Sequence, residues 1–286
     1  MALIATVEVV NFVRVRDAIR LLRQPQRAYA VSPRFARALL PGRGREIYPP
    51  WRPRPSEAGM LATAGRRDGW GAPQVHRVVV FATWLDDEPR HAHLERSTVT
   101  ERWLGVFEPV HSHGTLDGAD PLGPAARGTW QERRGSIFTY GRAGGSFVDF
   151  VHQNNRVVEE LRRMPSLLTS FNLLDLEGGF GVSTFSCWDD LDMAMNFAYR
   201  ASPQHREAIR RHREGRYGKE LYFARLALLD SEGTICGRNP FSQKRSDVEA
   251  DHAIVGNHGR GRGAGRVVRA RGADHEPEQS LLCRTG

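Results

Sequence analysis

The sequence predicts an α+β fold built from two similar halves, because two motifs occur twice in the chain. The segment FATWLDD at 81–87 returns as FSCWDD at 185–190, and GTLDGADPL at 114–122 returns as GTICGRNPF at 233–241. Two matches in the same order indicate an internal duplication. The second copy carries about 15 more residues between its motifs than the first. An insertion in only one half is where we expect a single functional site.

The first half alternates strand and helix patterns. Its predicted elements are a strand at 2–13, a helix at 15–40 with breaks at Pro25 and Pro33, a loop at 41–55, a strand at 75–83, a helix starting at Asp86 or Asp87 and running to Trp103, and a strand at 104–113. The prolines break the helical pattern because proline lacks a backbone N–H.

The second half repeats this plan with one extra helix. Its predicted elements are a strand at 136–140, a helix at 146–164, strands at 167–176 and 181–186, a helix starting at Asp189 or Asp190, the extra helix at 202–213 and a strand at 221–229. The extra helix has Ser202 as its predicted N-cap and Pro203 at its first position.

Each half is therefore predicted to follow the order β-α-β-β-α-β, the ferredoxin-like order. Two such antiparallel sheets can pack face to face or close into one barrel. The predicted boundaries are 1–125 for the first half and 126–241 for the second. Residues 242–286 are rich in Gly and Arg and lack hydrophobic periodicity, which predicts a disordered tail.

Composition narrows the class of protein. The chain has 286 residues, 40% hydrophobic and 26% charged, which is ordinary for a globular protein. No apolar run is long enough to span a bilayer, and the first 12 residues do not resemble a secretory signal. Its 3 cysteines are far apart in the sequence, so we expect a reduced, cytoplasmic setting.

The net charge of +8 does not by itself predict a nucleic-acid partner. Of 41 basic residues only Lys219 and Lys244 are lysines, and several arginines lie in the 242–286 tail. Such an excess of arginine is more typical of a GC-rich genome than of phosphate binding. No nucleic-acid partner is therefore expected, and any membrane contact would be peripheral.

Several motifs of the second half resemble those of a known family. They are TFSCWD at 184–189, FAY at 197–199, HREAIR at 205–210, ELYFAR at 220–225 and the Gly-Thr turn that ends at Pro240. The chain resembles the spheroidene monooxygenase family over 2–241, most strongly from 180 onward. The resemblance implies tandem halves of the dimeric α/β-barrel type, haem b as the cofactor and oxygenation as the reaction.

The chain departs from that family at several places. Arg216 and Tyr217 stand where a tryptophan-tyrosine pair is usual, and Leu116 and Ile235 stand where the turn motif has tryptophan. These departures concern the substrate more than the fold.

The extra helix carries the candidate cofactor residues. His205, Ala208, Ile209 and His212 fall at i, i+3, i+4 and i+7 and share one face. An imidazole on an apolar stripe suits a haem pocket, and the alternative is a structural histidine bonded to a backbone carbonyl. The resemblance implies that His205 binds the iron, with His212 as the weaker candidate.

Arginines are the candidates for polar contacts to the cofactor or the substrate. Arg210, with Arg211 and Arg213, could pair with haem propionates, the alternative being a solvated helix face. Arg225 shares a strand face with Phe223 and Ala227, which predicts that it points inward, and it is the catalytic candidate.

A pair of histidines forms an alternative candidate site. His111 and His113 would share a face of a strand and could bind one metal ion, the alternative being exposed histidines. No dinucleotide motif follows a strand, so a separate reductase or peroxide would be the electron source.

The function predicted from the sequence is haem-dependent monooxygenation of an apolar or natural-product substrate. Two alternatives stay open. One is a haem-dependent reaction without oxygenation, such as dehydration or N–O or N–N chemistry, and the other is a cofactor-free ligand-binding protein of the same fold. Expected partners are a small-molecule substrate and the external electron donor or peroxide, and self-association into a homo-oligomer stays open.

Overall fold

A computed structural model describes residues 3–28, 33–41, 75–84, 98–123, 131, 133–142, 147–175, 181–218 and 221–242. The strands are β1 (Ile4–Phe12), β2 (Phe35–Pro41), β3 (Arg77–Trp84), β4 (Val99–Gly114), β5 (Gly135–Arg142), β6 (Leu167–Asp175), β7 (Gly181–Trp188) and β8 (Leu221–Gly233). The α-helices are α1 (Val15–Arg23), α2 (Phe147–Leu161), α3 (Leu191–Asn196) and α4 (Pro203–Arg213), with a 3₁₀ turn at Pro25–Ala28 and a π-helical turn at Phe197–Ala201.

The strands form one closed antiparallel barrel in the order β1-β3-β2-β6-β7-β5-β8-β4. Each half contributes four adjacent strands, and both halves place them in the same order, β4-β1-β3-β2 and β8-β5-β7-β6. The halves meet where β4 pairs with β8 and where β2 pairs with β6. The predicted fold class, α+β with two ferredoxin-like sheets closed into a barrel, is confirmed.

Two helix predictions in the first half were wrong. Residues 35–41 form β2 rather than the end of a helix, because Leu39 faces the barrel interior while Ala38 and Leu40 face α1. Apolar residues on both faces remove the alternation by which a strand is normally recognised. The predicted helix ending at Trp103 also overlaps β4, which begins at Val99. Its earlier part, 85–97, and the predicted loop at 42–55 lie outside the described residues.

Aromatic side chains fill the barrel interior. Phe81 and Phe138, one from each half, stack with ring centroids 4.6 Å apart. Trp103, Phe107 and Phe185 pack beside them and are fully buried. These rings therefore belong to the packed core at the centre of the barrel.

The repeated Gly-Thr motif completes the core in each half. Leu116 in the first copy and Ile235 in the second are buried in the same cluster that fills the barrel. Each is held by a short bridge, Leu116 with Ala119 and Ile235 with Arg238. The Gly-Thr motif therefore has a structural role in both halves, and no catalytic role is needed to explain why it occurs twice.

Helices cover the outer face of each sheet. In the first half α1 packs Ala18 and Leu21 against β1 and β3. In the second half α2, α3 and the π-helical turn form a cluster over β6 and β7, in which Trp188 contacts Phe197 with centroids 6.1 Å apart. In the described part of the chain no helix is long and apolar enough to cross a membrane.

Candidate functional site

Helix α4 is fixed at its start by the predicted cap. The Ser202 hydroxyl accepts a hydrogen bond from the backbone N–H of His205 at 2.9 Å, and Pro203 occupies the first turn. The same hydroxyl contacts the Glu160 carboxylate of α2. Further along, the side-chain amide of Gln153 donates to the backbone carbonyl of Gln204 at 2.6 Å. These bonds place the first turn of α4 firmly against α2.

His205 presents a neutral imidazole of defined orientation. Its Nδ1 lies 2.9 Å from the backbone oxygen of Ala198. A carbonyl oxygen only accepts, so the proton lies on Nδ1 and Nε2 keeps a lone pair. Burial lowers the pKa of His205, against the opposing effects of the Ala198 carbonyl and the Glu160 charge. The side chain is therefore neutral at pH 7.

The apolar stripe of α4 faces the helical layer at one end and becomes more open at the other. The His205 ring lies 5.8 Å from the Phe197 ring, centroid to centroid, and Ala208 packs against the cluster around Trp188. Ile209 and His212 are partly exposed. Burial also lowers the pKa of His212. The helix thus brings the four predicted stripe residues to one face, as the spacing indicates.

Arg210 lies on the opposite, exposed face. Its guanidinium bonds Glu207 at 2.7 Å and also contacts Glu214. The neighbouring Arg211 bridges Glu207 and Asp149, each at 2.7 Å. Hydrogen bonds from these two arginines lower the pKa of Glu207 to about 2. Arg210 is thus engaged in ion pairs on the exposed face of α4, and its pairing with a haem propionate stays a prediction.

Arg225 points away from the barrel interior, so the predicted inward direction was wrong. On β8 it is Tyr222, Ala224 and Leu226 that enter the central core, and Arg225 lies between them on the outer face. It is nevertheless buried, with 9% of its surface exposed, because the helical layer covers it. Burial lowers its pKa, and a hydrogen bond with Tyr199 acts in the opposite direction.

His111 and His113 lie beside Arg225 on the same outer face. His111 is in register with Arg225 and His113 with Phe223. The two imidazole centroids are 5.7 Å apart. Among the residues that the structure describes, no group of three or more His, Cys, Asp or Glu side chains is placed to hold a metal ion.

The π-helical turn connects these two groups of residues. Ala198 of the turn accepts the bond from His205, and the next residue, Tyr199, bonds Arg225. Sequence reasoning missed Tyr199 and the pairing of His111 with Arg225. The FAY motif contained the signal for Tyr199, and a π-helical turn often marks a functional position. The pairing depends on strand register between the two halves, which no local pattern specifies.

Comparison with known proteins identifies no family. No family model matches the chain, and no curated protein matches it. Among solved structures, an anthrone oxidase-like protein is 12% identical with a TM-score of 0.31, covering 82% of this chain and 94% of its own. A ferredoxin-fold protein related to antibiotic biosynthesis monooxygenases, from Listeria monocytogenes, is 10% identical with a TM-score of 0.27, covering 78% and 95%.

A third similar structure is described as a major regulator of staphylococcal pathogenesis. It is 7% identical with a TM-score of 0.29, covering 80% of this chain and 99% of its own. At TM-scores this low the likenesses carry no argument about function.

Proposed function

We propose that this chain is a haem-dependent oxidoreductase of the monooxygenase type, with haem b bound at α4 on the outside of the barrel. The observation that carries the proposal is the bond between His205 Nδ1 and the Ala198 carbonyl. It leaves Nε2 as a lone-pair donor on a neutral ring, which is what an iron ligand requires. A metal-binding histidine commonly anchors its other nitrogen in this way.

The surroundings of His205 fit a large apolar cofactor on one side. Phe197, next to the imidazole, and Ala208 are packed into the cluster around Trp188, so the apolar surface of α4 that is open to a cofactor lies at the partly exposed Ile209. Haem would be held through His205, with Ile209 and the weaker candidate His212 as neighbours on the same face. When bound, haem supplies an iron that activates oxygen or peroxide.

The residues of this chain then have the remaining tasks. The Ser202 cap and the Ala198 bond fix the ring of His205, so little ordering is needed when a ligand binds. Arg225 and Tyr199 provide a hydrogen-bonding group beside the apolar surface, where they can orient a substrate. Electrons would come from a separate donor or from peroxide.

The competing function is cofactor-free ligand binding, and the same hydrogen bond supports it. The π-helical turn disturbs the regular backbone ladder, and the His205 side chain satisfies the carbonyl of Ala198 within it. In that case His205 ties the turn to α4 and has no metal to bind.

The visible absorption spectrum of the protein reconstituted with haem separates these functions. We expect a Soret band that remains with the protein through gel filtration. His205→Ala should abolish or strongly weaken this retention, whereas His212→Ala should have a smaller effect. His152→Ala, which changes an exposed histidine of α2, is the matched control and should leave the band unchanged. An unaltered Soret band in the His205→Ala protein would exclude His205 as the ligand, and failure of the unmodified protein to retain haem would favour the cofactor-free function.

A further inference from the structure

The outer face of the barrel carries a group of residues that takes no part in holding haem, although it includes the substrate-orienting residue Arg225. We call it the β4–β8 patch, and it consists of His111, His113, Phe223 and Arg225. The ring of His113 stacks on Phe223 with centroids 5.1 Å apart and an angle of 29° between the planes. The guanidinium carbon of Arg225 lies 5.5 Å from the centroid of the same Phe223 ring. The patch is thus an aromatic surface with a positive charge at its edge.

Among the described residues, the charges that act on the histidines of the patch are mainly positive. Burial is the largest cause of the lowered pKa of His113, followed by the charges of His111, of Arg225 on β8 and of Arg213 at the end of α4. Burial and Arg225 lower the pKa of His111 as well. Tyr199, from the π-helical turn, contributes a hydroxyl to Arg225.

The acidic residue Asp120 opposes these effects, and its carboxylate already accepts hydrogen bonds within the protein. It accepts a hydrogen bond from the Ser112 hydroxyl at 2.8 Å and from the backbone N–H of Leu122 at 3.0 Å. These bonds hold the Asp120 side chain against the Gly-Thr motif. Asp120 raises the pKa of both histidines but less than the other causes lower it.

This charge distribution disfavours the metal site suggested by the sequence and favours an anion. A divalent cation beside His111 and His113 would be repelled by Arg225, and the described residues place no third ligand there. An anion would be attracted to Arg225 and could accept hydrogen bonds from protonated imidazoles. We propose that the β4–β8 patch binds a carboxylate or other acidic group on a planar aromatic substrate.

This proposal rests on the proposed function in assigning the ligand of the patch as the substrate. The acidic group would meet Arg225 and the histidines, and the planar part would lie along Phe223. Because both imidazoles are neutral in the free protein, a bound anion favours their protonation. Binding should therefore be accompanied by proton uptake and should strengthen as the pH falls towards the lowered pKa values of the two free imidazoles.

Benzoate and its uncharged analogue benzamide are the probes, used on the full chain without added haem. The imidazole signals of His111 and His113 are followed by NMR, and affinity is measured by calorimetry at several pH values. We expect benzoate to shift both histidine signals and to bind more tightly than benzamide. Equal affinity for the two probes, or benzoate binding that leaves both signals unshifted, would overturn the proposal.

Substitutions locate the binding to the patch. Arg225→Gln should weaken benzoate binding about tenfold, the usual size of a charge-assisted hydrogen bond. Arg156→Gln, which removes the same charge from an exposed position on α2, should not change it. Because Arg225 is buried, its variant could fail to fold, so a second variant is made at the exposed His113. His113→Gln should remove part of the pH dependence of benzoate binding. Unchanged benzoate affinity in a folded Arg225→Gln protein, or an unchanged pH dependence of benzoate binding in His113→Gln, contradicts the proposal.

The two proposals fail in distinguishable ways. Haem retention is measured by the Soret band and depends on His205, whereas benzoate binding is measured on haem-free protein and depends on Arg225. A protein that binds benzoate at the patch but retains no haem supports the anion site and excludes the cofactor. A protein that retains haem but does not distinguish benzoate from benzamide keeps the cofactor and excludes the anion site.

Discussion

His205 links the candidate site to the stability of the fold. Burial lowers its pKa in the folded state, while the unfolded chain has a pKa near 6.5. Between these two pKa values the unfolded chain binds more protons. The stabilisation from the neutral ring is therefore complete above about pH 6.5 and is lost as the pH falls below it.

Because the lowered pKa of His205 makes stability fall on acidification, we predict that the free energy of unfolding decreases from pH 7.5 to pH 5.5. His205→Gln should reduce this decrease. The pH dependence of stability should not vanish in this variant. The pKa values of three other histidines are also lowered, and these act in the same direction: His111, His113 and His212. Urea unfolding at the two pH values measures it, with His152→Gln as the exposed control. An equal loss of stability on acidification in His205→Gln and in the unmodified protein would contradict the assignment.

At the scale of single residues, the sequence predicted which helical residues share a face better than it predicted the direction of side chains on a strand. The spacing of His205, Ala208 and His212 identified the inner face of α4, because a helix has a fixed period. The predicted inward direction of the Arg225 side chain was wrong because both faces of β8 are largely covered, one by the core and the other by helices. Alternation cannot tell such faces apart. Likewise, the sequence could not show that Arg210 forms ion pairs with Glu207 and Glu214.

At the scale of elements, the Gly-Thr motif provides two matched pairs of glycines. Gly233 and Gly237 have φ angles of 73° and 75°, in the region that disfavours residues with a Cβ. A Cβ at Gly233 would lie 2.1 Å from the backbone oxygen of Arg102, whereas a Cβ at Gly237 would meet nothing within 4 Å. The equivalent glycines of the first half, Gly114 and Gly118, show the same contrast.

We therefore predict that Gly237→Ala costs about 1 kcal/mol, from backbone strain alone. Gly233→Ala should cost more than about 3 kcal/mol, because the backbone of β4 must move. Chemical denaturation of the two variants measures the difference, and Gly118→Ala and Gly114→Ala should repeat it in the first half. Equal destabilisation within each pair would show that steric contact with the neighbouring strand is not the reason for the glycine.

Elements that are amphipathic or capped were predictable, and elements covered on both sides were not. The Ser202-Pro203 signal gave the start of α4 correctly. β2 was missed because Ala38, Leu39 and Leu40 are all buried. The π-helical turn at Phe197–Ala201 could not be predicted, since its geometry follows from the packing of Phe197 and the bond to His205.

At the scale of the whole molecule, the two joints between the halves differ. β4 and β8 pair along most of their length, from Trp103 opposite Gly233 to Gly114 opposite Tyr222. β2 and β6 share only a short register, and Arg37 of β2 supports that joint through an ion pair with Asp175 of β6. The duplication predicted two equal sheets, but closure depends on pairing between distant strands. That pairing leaves no periodic signal in either strand.

The end of the barrel core sets where the chain can be shortened. Contacts group residues 1–241 into one compact unit, and Phe241 is 6% exposed in the core beside Trp103 and Phe107. Its backbone oxygen also accepts a hydrogen bond from Arg134 at 2.8 Å. The predicted disordered tail lies outside the described residues except for Ser242, and its composition lacks the apolar periodicity of a packed segment.

We predict that a chain ending at Ser242 unfolds at the same temperature as the full chain. A chain ending at Asn239 loses Phe241 and should be destabilised by about 3–5 kcal/mol, the usual cost of removing a buried phenylalanine. For a protein of this size that lowers the melting temperature by on the order of 10 °C. Phe241→Ala in the full chain is the matched control, because it removes the same ring while keeping the tail. If the chain ending at Ser242 melts as early as the one ending at Asn239, the tail contributes to the core and the predicted boundary at 241 is wrong.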